Sequence, residues 1–298
     1  MFKKGYSAGS IFLALLMFGM VLANMGGVAG AALTDGLVAY YPFNGNANDE
    51  SGSGNGNNGV VHGATLTTDR FGNANKAYSF NNSYIEIADS NSLDIGTNSY
   101  TTVAWIKTND VSTQGRIFSK GASGCEIGYM MRLDATTHSI TIENSNTKGG
   151  CYIVLTSSTL IDDNKWHFVV AVVERSSGAK IYIDGKIDAS TNKDTSGLSV
   201  ANGLNAKIGM SYINPMEPFN GSIDDVRIYN RALSDAEVQQ LYTEGDSTTN
   251  TLTIYRTGSG TVTSNPSGIN CGLVCSASFG ANTPVTLTAT PDSGSTFS

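Results

Sequence analysis

The stretch from Phe219 to Tyr242, FNGSIDDVRIYNRALSDAEVQQLY, constrains the fold most, because it writes a turn, a strand and a capped helix in succession. Asn220-Gly221 can supply the positive φ angles of a tight turn. From Ile223 to Tyr229 apolar and polar residues alternate, putting Val226 and Ile228 on one face and Asp225 and Arg227 on the other, the pattern of a half-buried strand. Ser234 stands where an N-cap belongs, with Glu237 three residues on to complete a capping box and Leu233 placed to staple against Val238. Val238, Leu241 and Tyr242 share one helical face, so the helix lies on the body of a β fold and closes it.

The middle of the chain reads as further strands. Thr102, Ala104 and Ile106 alternate with Val103, Trp105 and Lys107, while Phe168 to Val173 is a near-continuous apolar run that suits a central, well-covered strand. Ile181, Tyr182 and Ile183 lead into Asp184-Gly185, a strong hairpin signal. Strands at spacings of roughly 8 to 12 residues with turn residues between them indicate an antiparallel sandwich.

Together with the closing stretch, five blocks resemble the laminin-G-like jelly roll family of the concanavalin-A-like lectin and glucanase superfamily, in the family's order. They are GLVAYYPFNGNANDESGSGNGN from Gly36, KAYSFNNSYIEI from Lys76, YTTVAWIK from Tyr100, NKWHFVVAVVER from Asn164 and AKIYIDGK from Ala179. The resemblance implies that the strand LVAYYPF lies beside Ile223 to Tyr229. It also implies a structural calcium ion at a rim, with Asp49 and either Asp224 or Asp225 as ligands. The polar loop Asn44 to Asn58 offers the hard oxygen donors such an ion takes, although a solvated loop and an Asp225–Arg227 pair would account for the same residues. On a regular strand Asp224 and Asp225 point to opposite faces, so one ion reaches both only across a bulge.

At the start, Lys3 and Lys4 precede the apolar run Ile11 to Ala23 and a cluster of small residues, which reads as a secretory leader over 1–31 and places the protein outside the cell or on its surface. Removing it takes away two lysines and no acids, so the net charge of −7 becomes −9. An acidic chain without a basic patch is a poor partner for nucleic acid and leaves cations or neutral glycans as the more natural partners. The family resemblance implies a recognition module for carbohydrate or a cell-surface ligand without chemistry of its own, with an accessory module of a larger glycan-degrading enzyme or a purely structural spacer as the alternatives. In an exported chain four cysteines point to bridges, most economically Cys125 with Cys151 and Cys271 with Cys275.

Trp105 and Trp166 sit inside strand blocks and read as core. Tyr129 and Tyr152, beside the cysteines, and Tyr212, in the loop SYINPMEPFNG, are the candidates for ligand contact. No catalytic constellation is present. His62, His138 and His167 fall in unrelated blocks without a GxSxG or HExxH motif, and no E-x-D-x-x-E carboxylate cluster occurs. Glu86 and Asp89 come closest, while Glu143 and Glu126 stand alone.

After Tyr242 the composition turns polar. The expected organisation is a leader over 1–31, an all-β jelly roll sandwich with one short helix over 32–244, a linker over 245–250 and the start of a small β module over 251–298. That last stretch resembles the divergent repeats of secreted bacterial proteins, including their short Cys-x-x-x-Cys loop.

Overall fold

The computed structural model describes residues 32–112, 114–121, 127–147, 150–211, 217–244, 249–255, 260–272, 275–280 and 285–294. The expected leader, Cys125, Tyr212 and most of the expected linker lie outside the described residues. Two compact units are present, one over Ala29–Tyr242 and one containing Thr243–Ser298.

The larger unit is a jelly roll sandwich. Its strands in chain order are β1 (Leu37–Tyr41), β2 (Gly59–His62), β3 (Thr65–Thr67), β4 (Ala77–Phe80), β5 (Tyr84–Ile87), β6 (Tyr100–Lys107), β7 (Arg116–Gly121) and β8 (Gly128–Leu133). They continue with β9 (Ile140–Thr147), β10 (Gly150–Thr156), β11 (Trp166–Glu174), β12 (Gly178–Ile183), β13 (Lys186–Thr191), β14 (Ala206–Ile208) and β15 (Gly221–Tyr229), before helix α1 (Asp235–Thr243). One sheet runs β13-β12-β11-β6-β15-β4-β3, with β1 also on β15, and the other runs β10-β9-β8-β7-β14-β5-β2. All ladders are antiparallel, and β1 pairs with β15 as the family resemblance implied. The β12–β13 hairpin turns at Asp184-Gly185, both at positive φ as a two-residue hairpin loop needs.

Alternation decides what each face buries. Along β11, Val169, Ala171 and Val173 enter the core between the sheets, whereas Phe168, Val170 and Val172 face outward into a second cluster with Trp105, Tyr182 and Tyr229. That outer cluster is closed by Leu233, just before α1, and by Val238 and Leu241 of the helix. Tyr242 stacks on Trp105 at 5.8 Å. The capping box forms as expected: the Ser234 amide donates to Glu237 Oε2 at 2.8 Å, and the Glu237 amide donates to Ser234 Oγ at 3.3 Å. Arg231 Nη2 adds an ion pair to Glu237 at 2.6 Å.

Two local expectations change. Asn220-Gly221 is not a two-residue turn, since Gly221 alone is at positive φ and opens β15; a Cβ there would stand 2.4 Å from the Lys107 carbonyl. In β15 the register shifts between Asp224 and Arg227, with Asp225 at φ +48°, so a bulge puts both aspartates on the outer face.

The smaller unit pairs β16 (Thr249–Thr253) with β19 (Ser276–Gly280), and arranges β18 (Asn270–Cys271), β17 (Gly260–Asn265) and β20 (Thr286–Pro291) in a second sheet. Its core is Ile254, Val262, Ile269, Cys271 and Phe279, and Cys271 is bonded to Cys275. β16 starts at Thr249, inside the stretch expected as linker. Among the described residues no helix is long and apolar enough to cross a membrane.

Candidate functional site

The outward face of the seven-stranded sheet carries the densest set of polar side chains. Strand register fixes one row straight across it: Val154, Glu143, Met130, Ser119, Lys207, Glu86 and Val60, from β10 to β2. The two end valines are 56% and 61% exposed, while Glu143, Met130, Ser119 and Lys207 in the middle are all buried. The row is therefore recessed between its edges. Alternation produces it, because Tyr129, Met131, Ile142 and Ile208 on the same strands point into the core.

An ion chain runs along the floor. Glu143 Oε1 accepts from Arg132 Nε at 2.7 Å and its Oε2 lies 3.7 Å from Arg116 Nη1. Arg132 goes on to Asp134 at 2.5 Å, and Arg116 Nε donates to Glu217 at 2.6 Å. Burial works against the charge on Asp134, but bonds from Arg132 and from the Thr136 and Thr137 amides outweigh it and hold its pKa down at about 2. Beside the chain, Lys207 Nζ sits 4.2 Å from the Tyr84 ring centroid, and Tyr84 stacks on His62 at 4.6 Å. Fixed donors and acceptors with an aromatic flank suit the hydroxyls and apolar face of a sugar. All three carboxylates of the chain, Glu143, Asp134 and Glu217, face guanidinium groups, an arrangement for holding a ligand rather than passing a proton to one.

Sequence reasoning missed Arg116, Arg132 and Glu217, and it set Glu143 down as isolated. Their partnership depends on cross-strand register, and the one local signal was a cation inside the apolar strand GYMMRL.

The expected contact residues fare differently. Tyr129 is a correction: it is fully buried in the core, and its hydroxyl donates to the Leu93 carbonyl at 2.9 Å, leaving no surface for a ligand. Tyr152 is half-buried on β10, with Lys193 Nζ 6.0 Å from its ring. Cys151 is disulfide-bonded.

The three expected calcium ligands do not converge. Asp49 Oδ1 accepts from the Tyr40 and Ser51 amides at 3.0 and 2.9 Å. Asp225 instead accepts from the Tyr40 hydroxyl at 2.8 Å, so the length of a tyrosine separates the two carboxylates. Asp224 and Asp225 do come together, on Arg70 Nη1 at 3.1 and 2.5 Å. The guanidinium is stacked between Phe71 and Trp105, 4.3 and 4.6 Å from their centroids. Arg70 thus supplies the positive charge that the sequence reading gave to an ion. Among the described residues, no three His, Cys, Asp or Glu side chains form a group able to hold a metal, and Asp49 is not brought together with Asp224 or Asp225 around one position. Burial first, then the charge of Asp225, pushes the Asp224 pKa up to about 8 against the pull of Arg70.

A family model described as the concanavalin A-like lectin/glucanases superfamily matches residues 79–239, more than half of the chain. The chain belongs to that superfamily. No curated protein sequence matches it. Among solved structures, the superfamily member is similar to the binding domain of Paraclostridial Mosquitocidal Protein 1, with TM-score 0.60 and 19% identity over 74% of this chain and 55% of that one. Domain 4 of AbnA, a GH43 extracellular arabinanase from Geobacillus stearothermophilus solved with arabinotriose, matches with TM-score 0.51 and 22% identity over 69% of this chain and 98% of that one. A botulinum neurotoxin type C structure, titled for dependence of cell entry on two ganglioside molecules, matches with TM-score 0.54 and 16% identity over 70% of this chain and 51% of that one. This lectin-like chain thus spans only about half of each toxin chain it matches. At these identities the likeness is one of fold.

Proposed function

We propose that the sandwich is a non-catalytic recognition module of a secreted or surface protein, and that it binds a neutral carbohydrate along the recessed row of the seven-stranded sheet. The observation that carries the reading is the row itself, a strip of fixed polar groups sunk between exposed edges and flanked by the Tyr84–His62 stack. Its ions are already paired with one another, so a hydroxyl-rich, uncharged ligand matches it better than an ionic one. The arabinotriose complex of the arabinanase domain and the gangliosides named for the neurotoxin support a saccharide as the partner. Since the arabinanase match is a single domain of a longer enzyme, an accessory role beside a catalytic domain is the second reading.

The test is a glycan array with the full chain, followed by calorimetric titration of any hit. Glu143→Gln keeps the side-chain volume and removes the charge that ties Arg116 to Arg132. It should weaken binding about tenfold, equivalent to about 1.4 kcal/mol, measured at a temperature where both proteins are folded, because neutralising the buried partner of two guanidinium groups also lowers the unfolding midpoint. Silence of the wild-type protein on every glycan, or equal affinity of the variant, would overturn the assignment.

A further inference from the structure

The eight-stranded sheet carries a cleft of its own, on its helix-bearing face. It opens where the start of α1 meets the ends of β11, β12 and β13, and its volume is about 890 Å³, within the range of about 300–1,000 Å³ usual for small-molecule sites. Val172, Ala232 and Leu233 make part of its lining aliphatic, and Ser177, Ser190, Thr191 and Asn192 bring hydroxyl and amide groups to its walls.

Both walls are braced. At Gly178, φ is +114° and a Cβ would stand 1.9 Å from the Thr191 carbonyl, so only glycine lets the start of β12 press so close against the end of β13. On the other side the Tyr182 hydroxyl and Lys180 Nζ donate to Asp235 Oδ1 at 2.6 and 2.8 Å, fastening the first turn of α1 to the sheet. The cleft is therefore preformed, which lowers the ordering cost a ligand must meet. Of its charges, Lys180 is paired with Asp235, and the Glu174 carboxylate, whose charge a hydroxyl does not cancel, accepts from the Ser99 hydroxyl at 2.9 Å. The rest of the lining offers uncharged hydroxyl and amide groups beside an aliphatic patch.

We propose that this cleft is a second binding site, for a short uncharged saccharide. It stands on a different sheet from the recessed row and holds whether or not that row binds. Two sites on one sandwich would let the protein grip a polysaccharide surface at two points, raising apparent affinity for a polymer above that for a trisaccharide.

Amide chemical shifts of the full-length isotopically labelled protein, titrated with arabinotriose, xylotriose and cellotriose, test the assignment. At least one trisaccharide should shift the signals of Ser177, Thr191, Asn192 and Ser234. Ser190→Trp, at an exposed position on the wall, should abolish those shifts while leaving any at Ser119 and Glu143 in place. Asn192→Ala should weaken them about fivefold, the loss of one hydrogen bond. No movement of the cleft signals with any of the three sugars, or movement that persists unchanged in Ser190→Trp, overturns the proposal. Shifts at the cleft with none at Ser119 or Glu143 would sink the reading of the recessed row and leave this one standing.

Discussion

Replacing Asp224 by asparagine should make the sandwich more stable at high pH and leave it nearly unchanged at low pH. The folded chain holds two carboxylates against a single guanidinium nitrogen in a closed pocket, with Asp224 almost wholly buried. Burial and the neighbouring charge raise the Asp224 pKa to about 8, whereas an unfolded aspartate titrates near 3.9. Between those values the native state keeps a proton that the unfolded state has released, so stability falls as pH rises through this window and levels off above it. At about 1.4 kcal/mol for each pH unit of this window, the ceiling on the loss is about 6 kcal/mol. An amide mimics the protonated acid: its oxygen still accepts from the Asp225 amide, a bond of 2.7 Å in the native chain, and its Nδ2 can donate to the Asp225 carboxylate. Calorimetric unfolding of both proteins at pH 5, 7 and 9 isolates the effect of the Asp224–Asp225 pair, because titrating groups remote from it cancel in the difference. At pH 9 the variant should melt higher by several degrees, given about 2–4 °C per kcal/mol for a domain of this size. A midpoint difference that stays constant from pH 5 to pH 9 would refute the reasoning.

Two further outcomes follow from groups around α1. His167 bonds Asp184 through Nδ1 at 2.9 Å and Asp163 through Nε2 at 3.1 Å, and the bond to Asp184, opposed by burial and helped by Asp163, raises its pKa above 6.5. Its contribution is complete below the unfolded value and is lost as pH rises through the folded one, so His167→Gln should lower the melting midpoint more at pH 5.5 than at pH 8.5; the reverse order would contradict the raised pKa. Ser234→Ala removes the N-cap and should cost about 1 kcal/mol in denaturant unfolding, and a loss below about 0.3 kcal/mol would show that the Arg231–Glu237 pair holds the helix start without it.

The strand-and-helix reading of 219–242 was legible because its signals are local: an alternation, a cap and its partner three residues on, an apolar helical face. The central strand was legible for the same reason, its unbroken apolar run reflecting cover by the second sheet on one side and by α1 on the other. The recessed row was not. Glu143 looks solitary in the chain, and its partners Arg132 and Arg116 lie 11 and 27 positions away, brought beside it only by antiparallel register. Tyr129 misled because a tyrosine next to a cysteine-bearing loop looks exposed, while strand parity sends it inward to the Leu93 carbonyl. Asp224 and Asp225 misled in the opposite way, since a regular strand would have parted them.

That last case had a sequence signal after all. Ile223 occupies an odd position, whereas Val226 and Ile228 occupy even ones, and all three lie in the core between the sheets. A strand of period two cannot bury both sets. Kept in phase with Ile223, it would carry Asp225 and Arg227 into the interior, at several kcal/mol for each buried charge. One extra residue resets the phase, at the cost of the positive φ at Asp225, which aspartate tolerates better than most side chains. The reset also falls where β15 changes neighbours, pairing with β4 up to Ile223 and with β1 from Val226 onward. With both aspartates outward, Arg70 is drawn over Trp105, and Trp105 in turn supports Tyr242 of α1. The mismatch between two apolar half-patterns thus determines the bulge, and the bulge determines how the helix is seated on the outer face.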